Sequence, residues 1–335
     1  MFIEVIPFGG SIDDEGLTYF VRDELAEAIQ IGCLVEVPFR NALDYAIVTK
    51  LFLPSPSRRG AGGEVEDSEC WKNLGGEVEN IRSIVRIITS TPLLAPYQIH
   101  SIFDNATYYF VHTHHILSLF LSKTLVKYLE KQDFKALAKS PSPSRRGARG
   151  EVEGVEGEVN SETKNIDNLI QFYHHTKNTP FLQTIQEQIN LPSPSRRGAG
   201  GEVDTHRTLI VFPDDFSIEA YLKACPVDTE NTLIIYDRLT ETKKYKAFIS
   251  VYNGEKNIII WTRRILYYNL SQYDRIFYAE DALHKTAMRF NHTYNHLEIL
   301  RRMAPRSHLE ITIISSLPSI ESMYYLHTGI YKKIS

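Results

Sequence analysis

The sequence predicts an α/β protein in two parts: a small β-rich N-terminal domain, α+β in character, followed by a three-layer lobe built on a mainly parallel sheet. Three observations carry this. In the last third, short unbroken apolar runs (TLIVF from Thr208, TLIIY from Thr232, NIIIW from Asn257, ITII from Ile311) alternate with helical stretches. That is the pattern of strands covered on both faces. Polar residues follow those runs at Asp214, Asp237, Thr262 and Ser315, where open α/β sheets bind ligands. In the first third, strand candidates at 2–6, 17–21, 33–39, 45–52 and 81–88 are separated by turn signals, as in a small β domain.

Composition is that of an ordinary folded protein. The chain has 335 residues, 43% hydrophobic and 23% charged, with a formal net charge of −4. No global basic excess advertises a nucleic-acid partner, so such a partner needs a local patch. Cys33, Cys70 and Cys225 are far apart and form no CxxC pair, which disfavours a disulfide framework or a cysteine zinc site. The start, MFIEVIPFGG, lacks the basic and apolar regions of a signal peptide. No run approaches the ~18 apolar residues of a membrane span. A cytoplasmic protein without a membrane partner is expected.

Taken in order, 1–128 forms the first domain, interrupted by an insert at 54–79. After Pro92 the stretch 95–129 has a helical pattern and contains His112, His114 and His115. His114 and His115 are adjacent and are expected on different helix faces. No acidic or cysteine partner has ligand spacing, so no metal is expected. A linker at 129–163 carries a second insert, and the lobe at 164–335 a third, at 191–204. The inserts are near-copies of one segment: LPSPSRRGAGGEVED from Leu53, SPSPSRRGARGEVEG from Ser140 and LPSPSRRGAGGEVD from Leu191. Proline, serine, glycine and mixed charge without periodicity cannot offset ordering entropy, so loops or disorder are expected. Their irregular spacing excludes a solenoid.

Five blocks of the lobe stand in a fixed order: Phe212-Pro213-Asp214, Tyr236-Asp237-Arg238-Leu239, Trp261-Thr262-Arg263-Arg264, Ala279-Glu280-Asp281-Ala282, and SSLPSIES from Ser315. With LTYFVRDELAEAIQIGCLVEVPFR from Leu17, they resemble primosomal protein N-prime, the replication-restart helicase family PriA. The resemblance implies an N-terminal domain that holds a DNA 3′ end, followed by a RecA-like helicase lobe 1. It places the end-binding residues at Leu17, Thr18, Gly32 and Arg82. Gly32 permits close backbone approach and Arg82 supplies a phosphate-binding charge. Leu17 stands where the family stacks an aromatic. The plain alternative makes Leu17 core and Gly32 a turn.

In the family the lobe binds ATP and magnesium. The sequence departs from that chemistry twice. The loop Tyr173-His174-His175-Thr176-Lys177-Asn178-Thr179, between a candidate strand at 169–172 and a candidate helix at 181–189, has no glycine. A β-carbon at every position obstructs phosphate approach, leaving Lys177 and Thr179 as nucleotide-binding remnants. Alanine 279 replaces the magnesium-side carboxylate, leaving Glu280 and Asp281 as catalytic remnants. Both the positioning and the electrostatic parts of phosphoryl transfer are thereby lost, so no cofactor is expected. The family's second lobe and zinc module find no counterpart. The expected function is an inactive helicase relative in replication restart that binds forked or 3′-ended DNA, or another restart protein. Arg263 and Arg264, with Arg275, Arg301 and Arg302, are candidate phosphate contacts. The alternatives are half of a split ATPase completed in trans, and an interaction scaffold without DNA binding.

Overall fold

The computed structural model describes residues 1–10, 16–52, 81–131, 170–174, 207–262, 273–280, 287–289, 292–307 and 309–334. The chain divides into two units, Met1–Lys135 and Ala136–Ser335. All three inserts, the loop residues 175–179, the 181–189 helix candidate, Arg263, Arg264, Asp281 and Cys70 lie outside the described residues.

The first unit begins with β1 (Phe2–Pro7), β2 (Leu17–Phe20), a short α1 (Asp23–Ala26), β3 (Leu34–Phe39), β4 (Ala42–Phe52) and β5 (Arg86–Ile87). They form an antiparallel sheet in the order β2-β1-β4-β3-β5. The strand expected at 81–88 is shorter than its apolar pattern suggested, because its residues serve two neighbours. Val85 N–H donates to Glu36 O on β3 at 2.9 Å. Phe20 N–H on β2 donates to Arg82 O at 3.0 Å, and Ile84 N–H returns a bond to Phe20 O at 3.0 Å. The two edges are thus joined and the sheet closes into a small barrel. Alternate residues fill its interior: Ile3, Val5, Tyr19, Val35, Val37, Ala46, Val48 and Ile84. A slip of one residue would turn this set outward.

The 95–129 stretch is three helices rather than one: α2 (Pro96–Tyr109), α3 (Thr113–Phe120) and α4 (Lys123–Lys131). Proline opens α2 at its first turn, and Gln98 Oε1 accepts from Ala95 N–H at 2.8 Å. The helix stops at Phe110, in a left-handed conformation with φ 52°. Val111 N–H closes the end on Ala106 O at 3.0 Å, a Schellman arrangement. Ile99, Ile102, Ile116, Leu117, Phe120 and Leu129 are buried, and α3 packs on β1.

On α4, the Glu130 carboxylate accepts from Tyr45 Oη and from the Arg86 guanidinium, which also binds Glu36 at 2.8 Å. The bond from Tyr45, followed by that from Arg86, holds the Glu130 carboxyl below its usual range. A depressed folded value stabilises above the unfolded value, near 4.3 for glutamate, and is lost as pH falls through the folded one. Urea unfolding at pH 7 and pH 3 should therefore show Glu130→Gln costing about 1 kcal/mol at pH 7 and less at pH 3. An equal cost at both values would contradict this assignment.

The second unit carries β6 (Ile170–His174), β7 (Thr208–Phe212), α5 (Asp215–Ala224), β8 (Thr232–Ile235), α6 (Glu241–Tyr252), β9 (Ile258–Thr262), β10 (Arg275–Glu280), β11 (Ala287–Arg289), β12 (His292–Tyr294), α7 (His296–Ser307), β13 (Glu310–Ser315), α8 (Ile320–His327) and β14 (Lys332–Ile334). Seven strands form one sheet in the order β14-β6-β13-β10-β7-β9-β8, and every pairing is parallel. The expected α/β class is found, with the strands beginning near Asn257 and Ile311 in the same sheet. Both residue parities are buried along the central strands. Ile210, Phe212, Ile260 and Phe277 pack on Ile218 and Tyr221 of α5, while Leu209, Val211, Ile259 and Ile276 are equally buried on the other face. Tyr173 and His174, expected in a loop, extend β6, because their backbone pairs with Ile314 and Ser315. The hairpin of β11 and β12 had no signal in the sequence. No described helix is long and apolar enough to cross a membrane.

Candidate nucleic-acid interface

The barrel presents exposed cationic groups at the end where β3 turns into β4. Arg82, just before the segment that closes the barrel, donates from Nη1 to Arg40 O at 3.0 Å. Arg40 itself takes a left-handed φ of 54°, which lets the hairpin reverse between Phe39 and Ala42. Its guanidinium lies 5.1 Å from the centre of the Phe39 ring, a cation–π geometry. Tyr19 lies beneath, with its hydroxyl donating to Pro38 O at 3.0 Å. Burial, opposed by Arg82 and assisted by Asp44, pushes that phenol upward. The Asp44 carboxylate accepts from Gly9 N–H. Two guanidinium groups on one rim can share a phosphate bidentately. Arg40 was missed in the sequence; its only signal is position, in the turn directly after VPF.

The other residues singled out by the resemblance lie as follows. Leu17 opens β2 opposite Val5 and packs, half-buried, against the barrel interior. Thr18 is opposite Glu4, on the outward parity. Gly32 precedes β3, donating to Val48 O at 2.8 Å and accepting from Leu93 N–H at 2.9 Å. It lies at the far end of β3 from Arg40, eight residues away, or roughly 26 Å if the strand were fully extended. Arg82 is thus brought to Arg40, while Gly32 is held against Leu94.

The histidines depart from expectation. The rings of His114 and His115 are 4.2 Å apart, and that of His112 is 5.6 and 6.0 Å from them. They gather because His112 precedes α3 and the other two occupy its first turn, where the chain is still entering the helix. Among the described residues no group of His, Cys, Asp or Glu has metal-holding geometry.

In the second unit the carboxyl ends of the strands are bound up internally. Ser322 Oγ donates to Glu280 Oε1 at 2.7 Å, and Ser315 Oγ to Glu280 O at 3.1 Å. Thr262 Oγ1 donates to Asp237 Oδ1 at 2.6 Å. Asp215 accepts from the N–H groups of Asp237 and Arg238 at 2.8 and 3.2 Å. The candidate phosphate contacts are likewise engaged. Arg275 donates to Thr208 Oγ1 at 3.1 Å, and Arg301 and Arg302 both bind the Glu298 carboxylate, at 2.5 and 2.9 Å. Arg301 also covers the Tyr325 ring at 4.6 Å. Arg275 begins its strand, so it sits at the sheet edge opposite Glu280.

The described N-terminal unit is thus a barrel with two exposed arginines at one rim, followed by three helices. Residues 11–122 match the family model PriA_3primeBD, described as the 3′ DNA-binding domain; this part of the chain is similar to that domain. No curated protein matches the chain. Among solved structures, the C-terminal domain of the DEAD-box protein Dbp5 is similar at 12% identity and TM-score 0.34, over 51% of this chain and 92% of that one. The S. cerevisiae Dbp5 C-terminal domain bound to Gle1 and IP6 is similar at 8% identity and TM-score 0.35, over 49% and 88%.

Proposed function

We propose that this chain is a DNA-binding protein of replication restart that holds the 3′ end of a strand in branched or forked DNA, and that its C-terminal lobe is an inactive helicase relative. The observation that supports DNA-end binding is the match across residues 11–122, with Arg82 seated on Arg40 at one rim of the barrel. There the guanidinium groups meet the terminal phosphates, and Leu17 forms an apolar wall. Other restart proteins are its protein partners. Anisotropy titrations with a fork bearing a free 3′ end are expected to show Arg82→Ala weakening binding and lowering the salt slope by about one unit. Equal affinity of the parent for fork and blunt duplex would overturn the end-binding reading.

The reading of the lobe rests on its sequence departures. Residues 173–179 contain no glycine and position 279 is alanine, so the lobe lacks both a phosphate cradle and a metal-side carboxylate. Steady-state phosphate release from the purified chain is expected to be nil, with or without DNA. DNA-stimulated turnover that vanishes in Glu280→Gln would overturn that.

A further inference from the structure

We infer that an unpaired DNA strand leaving the Arg40–Arg82 rim crosses the N-terminus of α3 and stacks a base on Phe110. The inference rests on the reading that the N-terminal unit binds DNA, and it adds a second contact point for the strand. Phe110 is 95% exposed and adopts φ 52° and ψ 47° at the end of α2. Glycine is the usual residue there, and a bulky side chain with positive φ is an outlier. Packing does not compensate, because the ring is in solvent. Strain kept without a structural return points to use of the side chain itself.

The surroundings suit a single strand. Tyr108, 46% exposed, lies on the same turn. Two residues on, exposed His112 lies 5.6 Å from the His114 ring. That ring lies over Gly10 so closely that an added β-carbon would be 3.1 Å from it. Gly9, next in line, meets the Phe39 ring that carries Arg40. A line of neighbours therefore runs from Arg40 through Phe39, Gly9, Gly10 and His114 to His112, two residues along the chain from the exposed phenylalanine. Among the described residues of this line the one carboxylate, Asp44, accepts from Gly9 N–H. Cationic groups that follow phosphates, alternating with aromatic faces that stack bases, are the makings of a sequence-tolerant single-strand site.

The test uses the full chain and duplexes with 3′ single-stranded tails of increasing length. Phe110→Gly is expected to weaken binding of long-tailed DNA roughly tenfold and to leave blunt-ended binding as it was. Its unfolding midpoint should be no lower than the parent's, because glycine relieves the left-handed strain. Phe110→Trp should keep the affinity and show emission quenched by tailed DNA, beyond any change in the parent. A parent that binds DNA while Phe110→Gly binds every tail equally well overturns this inference alone. A parent that binds none of these DNAs overturns the DNA-binding reading and this inference together.

Discussion

Gly32→Val is expected to unfold the N-terminal unit. Gly32 has φ +88°, and a β-carbon placed there would be 2.0 Å from the carbonyl oxygen of Leu94. Both neighbours in that contact are backbone, fixed by the bonds from Gly32 N–H to Val48 O and from Leu93 N–H to Gly32 O. Neither can withdraw without opening the junction between barrel and α2. The left-handed conformation of a β-branched residue costs about 1–3 kcal/mol by itself, and the clash adds to it, so a total above about 4 kcal/mol is expected. Urea unfolding followed by circular dichroism would measure it. A midpoint within error of the parent's would refute the assignment of Gly32 as a packing glycine. Because the effect acts through the fold, loss of DNA binding in this variant alone says nothing about a pocket.

The second large effect is expected at Ser322. Glu280 is buried at the carboxyl end of β10, with Ser322 Oγ on one carboxylate oxygen and no hydrogen-bond partner for Oε2 among the described residues. Ser322→Ala leaves a buried acid without that donor, which costs about 2–3 kcal/mol. In a Glu280→Gln background the same change should cost about 1 kcal/mol, since a neutral pair is lost instead of a charge-assisted one. A double-mutant cycle on the unfolding of this unit gives the difference. Equal costs in the two backgrounds would mean that the hydroxyl does not serve the carboxylate.

Much of the fold was legible because continuous apolar runs mark strands buried on both faces. β7, β9 and β13 were each expected from four or five such residues, and all lie in the interior of one sheet. The barrel's closure was not legible. It depends on Phe20 pairing with Ser83, a single bridge with no pattern of its own. Nor does a helical period reveal that 95–129 breaks at Phe110 and again after Phe120, since neither break carries glycine or proline. Within the candidate site, Arg82 could be named from the resemblance. Arg40 could not, because an arginine in a left-handed turn reads as ordinary surface charge until the backbone is seen.

The order of strands in the second unit sets the order of events during synthesis. Among the described strands β6 is the first to be made, yet its two neighbours are β13 and β14, the last two of them. Its backbone donors and acceptors stay unpaired until residues beyond 310 have left the ribosome, while the N-terminal barrel already has every strand it needs. Such non-local parallel pairing is slow and leaves a strand edge open to other chains in the meantime. A nascent chain stalled before β13 would therefore hold a finished DNA-binding unit tethered to a sticky, half-built sheet.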